Sequence, residues 1–127
     1  MNIFITGASG FLGSAVLARM AHLDIYENIY ILMRSNRKQT ASDRAIELIN
    51  KTFSPEEALK IIEKIKVIEG DLTSPHLGLS VRDRWALLDK IHQILHIGAS
   101  TDFGAPIHIS RQYNVEGTRM VLDLAEA

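Results

Sequence analysis

Three glycines spaced every third position, Gly7, Gly10 and Gly13, follow directly on the apolar run Asn2-Ile-Phe-Ile-Thr6. An apolar helical pattern begins at Phe11. A first glycine permits a tight turn out of a strand, and a second lets a ligand approach the backbone. A third, inside the helix, lets that helix lie close on a sheet. The helix start then offers free N–H groups and a partial positive charge. Such a turn cradles the diphosphate of a dinucleotide. The spacing is G-x-x-G-x-x-G rather than the G-x-G-x-x-G of many dehydrogenases.

The second apolar run, Asn28 to Met33, ends in Arg34, with Arg37 and Lys38 close behind. NAD-selective sites place a carboxylate there to accept from the ribose 2′-hydroxyl. Here no acid stands in that place. A guanidinium clamps a 2′-phosphate with paired hydrogen bonds, so the reading is NADP (as NADPH) over NAD. Arg37 and Lys38 read equally well as a solvated basic loop. Gly70-Asp71-Leu72 closes a third run. Asp71 is placed to accept from an adenine amino group, the alternative being local turn bonds. Gly98-Ala99-Ser100 ends a fourth run with residues small enough to leave room for a cofactor.

Other residues carry less. His92 and His96 are four apart with no third ligand at suitable spacing, so no metal is expected. Trp85 sits at a helical spacing that suggests packing. Tyr113 is within reach of the site, but its helix phase with Gly117 and Val121 favours packing, and Glu56, Glu57 and Glu63 read as a solvated helix face.

The elements that must position these groups alternate. Strands are expected over 2–6, 28–33, 65–69 and 93–98, and the first helix from Phe11 to about His22. Its apolar positions are Leu12, Val16, Met20 and Leu23. Thr40 with Asp43 marks a second helix, with Ala45, Leu48 and Ile49 inward. Ser54-Pro55-Glu56-Glu57 marks a third, with Leu59 and Ile62 on one face. Ser80 with Asp83 opens a fourth, carrying Val81, Trp85 and Leu88 along one side. A final helix runs Tyr113, Gly117, Val121, Leu124. Strands joined by helices make a parallel sheet with right-handed crossovers. The expected fold is α/β, a Rossmann-like doubly wound sheet of order 3-2-1-4 that stops after the fourth strand and its helix.

At 127 residues the chain reads as one domain, residues 1–127. It is 46% apolar and 23% charged with a net charge of −1, which suggests neither nucleic acid nor an anionic membrane as partner. No run is long enough to span a bilayer and no signal peptide opens the chain. It has no cysteine, so thiolate chemistry is excluded and a cytoplasmic location is expected.

Together these stretches resemble the extended short-chain dehydrogenase/reductase superfamily. Within it they are most similar to the thioester reductase branch that includes the male-sterility type fatty acyl reductases. The resemblance rests on Thr6-Gly-Ala-Ser-Gly-Phe-Leu-Gly13, Leu32-Met-Arg34, Ala41-Ser-Asp-Arg44 and Gly70-Asp-Leu72. It continues through Leu77-Gly-Leu-Ser80, Ile94-Leu-His96 with Ala99, and Asn114-Val-Glu-Gly-Thr118. It implies that Gly7, Ser9, Gly10, Phe11 and Leu12 line the diphosphate and that Arg34 and Arg44 hold the 2′-phosphate. It also places Asp71 and Leu72 beside adenine and Ala99 under the nicotinamide ribose. Asn114 braces the sheet. The implied activity is reduction of an acyl thioester, on coenzyme A or a carrier protein, to an aldehyde or alcohol.

The branch's chemistry uses a Tyr four residues before a Lys. Tyr26, Tyr30 and Tyr113 are followed at that spacing by Tyr30, Arg34 and Gly117. No catalytic residue is therefore assigned, and the chain is expected to bind cofactor without transferring hydride alone. Two other readings stay open: a sugar-nucleotide epimerase or dehydratase of the same superfamily, and a non-catalytic dinucleotide sensor. A fourth strand left at the sheet edge, or the last helix, predicts a homodimer.

Overall fold

The computed structural model describes residues 1–127. In chain order it comprises β1 (Asn2–Thr6), α1 (Phe11–Met20), β2 (Asn28–Met33), α2 (Ala41–Thr52), α3 (Pro55–Ile61) and β3 (Ile65–Glu69). After these come α4 (Val81–Lys90), β4 (Gln93–His96), α5 (Ile107–Arg111) and α6 (Gly117–Glu126). The sheet is parallel in the order β3-β2-β1-β4, as the alternation predicts. Phe4 lies between Tyr30 and Ile94, and Ile5 between Ile31 and Leu95.

A sheet covered on both faces needs apolar residues at every position of its central strands. β1 and β2 meet that demand. Ile3, Ile5, Ile29, Ile31 and Met33 face α1 and α2 in one core layer. Phe4, Tyr30 and Leu32 face α4 and α6 in the other. Phe4 and Ile5 are wholly buried, each stabilising the fold by about 1.5–3 kcal/mol. No helix is long and apolar enough to cross a membrane.

The helix starts follow their caps. The Asp43 amide donates to Thr40 Oγ1 at 3.1 Å, and the Asp83 amide to Ser80 Oγ at 3.0 Å. Ser54 and Glu57 form a reciprocal capping box, with Pro55 as the first helical residue. These bonds hold the Glu57 carboxyl below its ordinary value, aided by His22 at 2.9 Å.

Several inward faces differ from the periodic reading. α1 buries Gly13, Leu17 and Met20 and ends at Met20, leaving Leu12 exposed beside the glycine turn. α3 turns Ile61 inward, while Leu59 is 80% exposed and Ile62 is also exposed. α4 packs through Leu87 with Leu88, and Trp85 and Val81, on one side, are both exposed. α3 and α4 each bury a single residue, Ile61 and Leu87, so the remaining apolar positions are less covered. β4 ends at His96 rather than Gly98. The last helix is not continuous: a π-helical turn over Gln112–Glu116 joins α5 to α6.

Between β3 and α4, His76 and Leu77 adopt φ of 52° and 59° ahead of Gly78. Leu77 is buried there and its carbonyl accepts from the Asp71 amide at 2.7 Å. That anchor pins the loop beside the end of β3.

Candidate functional site

The carboxyl ends of the strands open on a cleft of about 540 Å³. Its floor is the turn from β1 into α1. Gly7 has φ +79°, and a Cβ there would lie 2.4 Å from the Gly98 amide. A Cβ on Gly13 would lie 1.7 Å from the Gly7 carbonyl oxygen. Turn and packing thus demand glycine at both positions. Gly10 differs. Its φ is an ordinary −78°, and its Cβ would meet only the Gly7 oxygen at 3.5 Å. Nothing inside the protein demands glycine there; its bare face opens on the cleft, where an incoming group would sit.

The amides of Phe11, Leu12 and Gly13 have no acceptor within the chain, and no acid sits in the first turn of α1. Three free donors beside a missing Cβ form an anion cradle. The residues present therefore fit a diphosphate.

Apart from Arg37, Lys38 and Ser100, the residues singled out from the sequence for the cofactor line this cleft. Gly7, Ser9, Gly10, Phe11, Leu12 and Gly13 make the floor. Arg34 and Arg44 stand at the end of β2, Asp71 and Leu72 at the end of β3, and Ala99 beyond β4. Arg37 and Lys38 are exposed and do not line it.

At the β2 end, an Arg44 Nη1 hydrogen bond to the Arg34 carbonyl draws the two guanidinium-bearing residues together. Neither pairs with a carboxylate; the ion pairs of the chain are His22–Glu57 and Glu116–Arg119. The acid closing β3, Glu69, accepts instead from the Ser35 hydroxyl. Two guanidinium groups in one cleft, neither paired to a carboxylate, are a receptor for a compact anion.

Arg34 Nη1 also donates to the Tyr113 hydroxyl at 3.0 Å. Tyr113 lines the cleft, contrary to the packing role its phase with Gly117 and Val121 suggests. The reason is the π turn, which inserts an extra residue per turn and shifts phase between Tyr113 and α6. Nothing in the sequence marks that turn.

Asp71 serves both readings. Its Oδ1 accepts from the Thr73 amide at 2.8 Å and the Thr73 hydroxyl at 2.7 Å, while the side chain still borders the cleft.

The far wall is held by a directed hydrogen-bond chain. The Gly98 amide donates to Thr6 Oγ1 at 3.1 Å, and Thr6 Oγ1 lies 2.6 Å from His96 Nδ1. His96 Nε2 lies 3.1 Å from Thr118 Oγ1, which donates to the Asn114 carbonyl at 2.7 Å. Since Thr118 donates onward, Nε2 carries the proton and Nδ1 accepts from Thr6. Burial pushes His96 below its ordinary value and keeps it neutral. Asn114 also exchanges two hydrogen bonds with the Ser100 backbone, at 2.8 and 3.1 Å. It thereby braces the exit from β4, as the resemblance implies. His92 Nδ1 is likewise engaged, accepting from the Asn2 amide at 3.0 Å.

A 3-2-1-4 parallel sheet, a glycine turn feeding α1 and a cleft at the strands' carboxyl ends define a nicotinamide-dinucleotide-binding domain of Rossmann type. The sequence agrees: the male sterility protein family, in its NAD-binding domain, matches residues 5–127, and the chain belongs to that family. It is 33% identical to a putative fatty acyl-CoA reductase of Drosophila melanogaster over 98% of this chain and 25% of that protein. Identity to fatty acyl-CoA reductase 1 of Mus musculus is also 33%, with the same coverage. The chain thus spans about a quarter of the length of the curated relatives it matches. Among solved structures, the terminal R domain of the myxalamid PKS-NRPS pathway superposes with a TM-score of 0.80 at 33% identity. That match covers 98% of this chain and 31% of the other. A UDP-glucuronic acid 4-epimerase from Bacillus cereus, at 19% identity and TM-score 0.64 over 98% and 36% of the two chains, shares the fold alone.

Proposed function

We propose that this domain holds NADPH for a reductase acting on acyl thioesters of coenzyme A or of a carrier protein. The single observation carrying the cofactor choice is the Arg34–Arg44 pair, two guanidinium groups without an acid where NAD-selective sites place a carboxylate. The substrate class is supported by the kinship with fatty acyl-CoA reductases and with R domains.

When bound, NADPH would supply the hydride for reduction of a thioester carbonyl to an aldehyde, the sulfur leaving as thiolate and taking a proton from solvent. The residues of this chain bind and orient. The free amides of α1 receive the diphosphate, and Arg34 with Arg44 receives the 2′-phosphate. Asp71 and Leu72 flank adenine, and Ala99 leaves space under the nicotinamide ribose.

The test is a pair of fluorescence titrations of the purified protein with NADPH and NADH. Wild type binds NADPH more tightly. Arg34→Ala weakens NADPH by roughly 30-fold, the worth of a charge-assisted phosphate clamp, and leaves NADH unmoved. Equal affinities for the two coenzymes in wild type overturn the reading.

β4 pairs only with β1 and leaves its other edge open. This supports self-association through that edge or through α6. Light scattering reads it directly, a monomer at working concentration being the contrary result.

A further inference from the structure

The geometry points to Tyr113 as a positioning residue for coenzyme selection: its hydroxyl braces the Arg34 guanidinium across the cleft, presenting a held cation to the 2′-phosphate. The inference rests on the 2′-phosphate reading above and goes beyond it by adding the group that orients the clamp.

Arg34 and Tyr113 reach the cleft from separate places. Arg34 follows β2, Tyr113 lies on the segment after β4, and β1 stands between those strands. Their 3.0 Å hydrogen bond therefore bridges the cleft. The π turn is what aims Tyr113 there, and such turns recur at functional sites. The turn is fixed in place by Asn114, clamped to Ser100, and by Gly117, whose missing side chain lets the helix rest on the Leu72 carbonyl. Tyr113 is half-buried, whereas Arg34 is exposed and long.

The chemistry of the brace suits its task. A carboxylate in the place of the phenol would hold the guanidinium more strongly but cancel the charge a phosphate seeks. A neutral phenol accepts from one Arg34 nitrogen and leaves the charge whole. An exposed arginine loses rotamer freedom on clamping an anion; one already braced loses less.

The experiment measures dissociation constants for NADPH and NADH by nicotinamide fluorescence. The proteins are wild type, Tyr113→Phe, Tyr113→Leu, Arg34→Ala and the Arg34→Ala/Tyr113→Phe double variant. Circular dichroism melts verify folding of each. Tyr113→Phe weakens NADPH by about tenfold and NADH by less than about twofold, the size of one lost hydrogen bond to a charged group. Tyr113→Leu shifts the NADPH/NADH ratio in the same direction. The double variant binds NADPH no worse than Arg34→Ala, because the brace acts only through the arginine.

Equal weakening of both coenzymes by Tyr113→Phe makes the ring a mere wall and overturns the inference. Unchanged or tighter NADPH binding overturns it too, since the phenol is then idle or competes with the phosphate. If Arg34→Ala shifts the ratio and neither Tyr113 variant does, the brace fails while the 2′-phosphate reading stands. If Arg34→Ala leaves the ratio unmoved, the underlying reading itself fails.

Discussion

The two ends of the cleft are built from different material. At the β1–α1 turn the receptor is backbone: three free amides, one missing Cβ, and two glycines locked by packing. At the end of β2 it is side chain: Arg34, Arg44 and Tyr113, exposed or half-buried, held by hydrogen bonds to one another. A backbone receptor is fixed once the fold forms and is blind to which coenzyme carries the diphosphate. A side-chain receptor is adjustable by single substitutions and, on the function proposed above, is where coenzymes are told apart.

The sharpest way to break this contrast is at Gly13. A side chain there enters the Gly7 carbonyl, which is 1.7 Å from the ideal Cβ position and belongs to backbone. Gly13→Val is expected to destabilise by about 4 kcal/mol or more, a large share of a typical domain's stability. Soluble yield and the thermal melt both report it. A folded Gly13→Val protein with an unshifted Tm would show that α1 can retreat from the turn, and the receptor would not be rigid.

Gly10→Ala separates folding from binding. The new methyl finds 3.5 Å to its nearest neighbour, so Tm should hold to within about 2 °C. The methyl occupies the space where the diphosphate meets the amides, so NADPH and NADH should weaken alike, on the order of 100-fold, as several charge-assisted bonds are lost together. Calorimetry with each coenzyme reads both numbers. Arg34→Ala gives the opposite signature, a loss for NADPH alone. Should Gly10→Ala affect only one coenzyme, the two ends would not be independent.

The same contrast explains what the sequence discloses. The backbone end is legible because its demands are absolute: glycines at 7, 10 and 13 after an apolar strand admit few other meanings. Strand order follows equally from βα alternation, and Ser54-Pro55-Glu56-Glu57 names its own helix start. Helix faces are less legible. Val81 and Trp85 share a helical phase with Leu88, but α4 touches the sheet through Leu87, roughly a quarter turn or more from Val81 and Trp85. Leu59 gives way to Ile61 on α3 for the same reason. Tyr113 lines the cleft although its helix phase favours packing. That phase holds only for a continuous α-helix, and the π turn over Gln112–Glu116 has no local signature; packing of Gly117 against Leu72 and the Asn114 clamp accompany it.

The smallest expected effect joins the two ends. Thr6, the last residue before the glycine turn, is linked through His96 and Thr118 to Asn114, the neighbour of Tyr113. The chain needs Nδ1 of His96 free to accept. Protonating it forces the fully buried Thr6 hydroxyl to turn its hydrogen to no acceptor. Burial already holds the folded pKa of His96 below its ordinary 6.5. The unfolded chain therefore takes up the proton first as pH falls, and stability rises with pH across that window. The contribution of His96 is complete above about 6.5 and is lost as pH drops through the lower folded value. Denaturant melts between about pH 7.5 and 5.5 should show stability falling more steeply on acidification in wild type than in His96→Gln. Histidines outside the network contribute equally to both proteins and cancel in the difference. Parallel slopes would mean that His96 titrates the same folded and unfolded, and that the link between the ends rests on Asn114 alone.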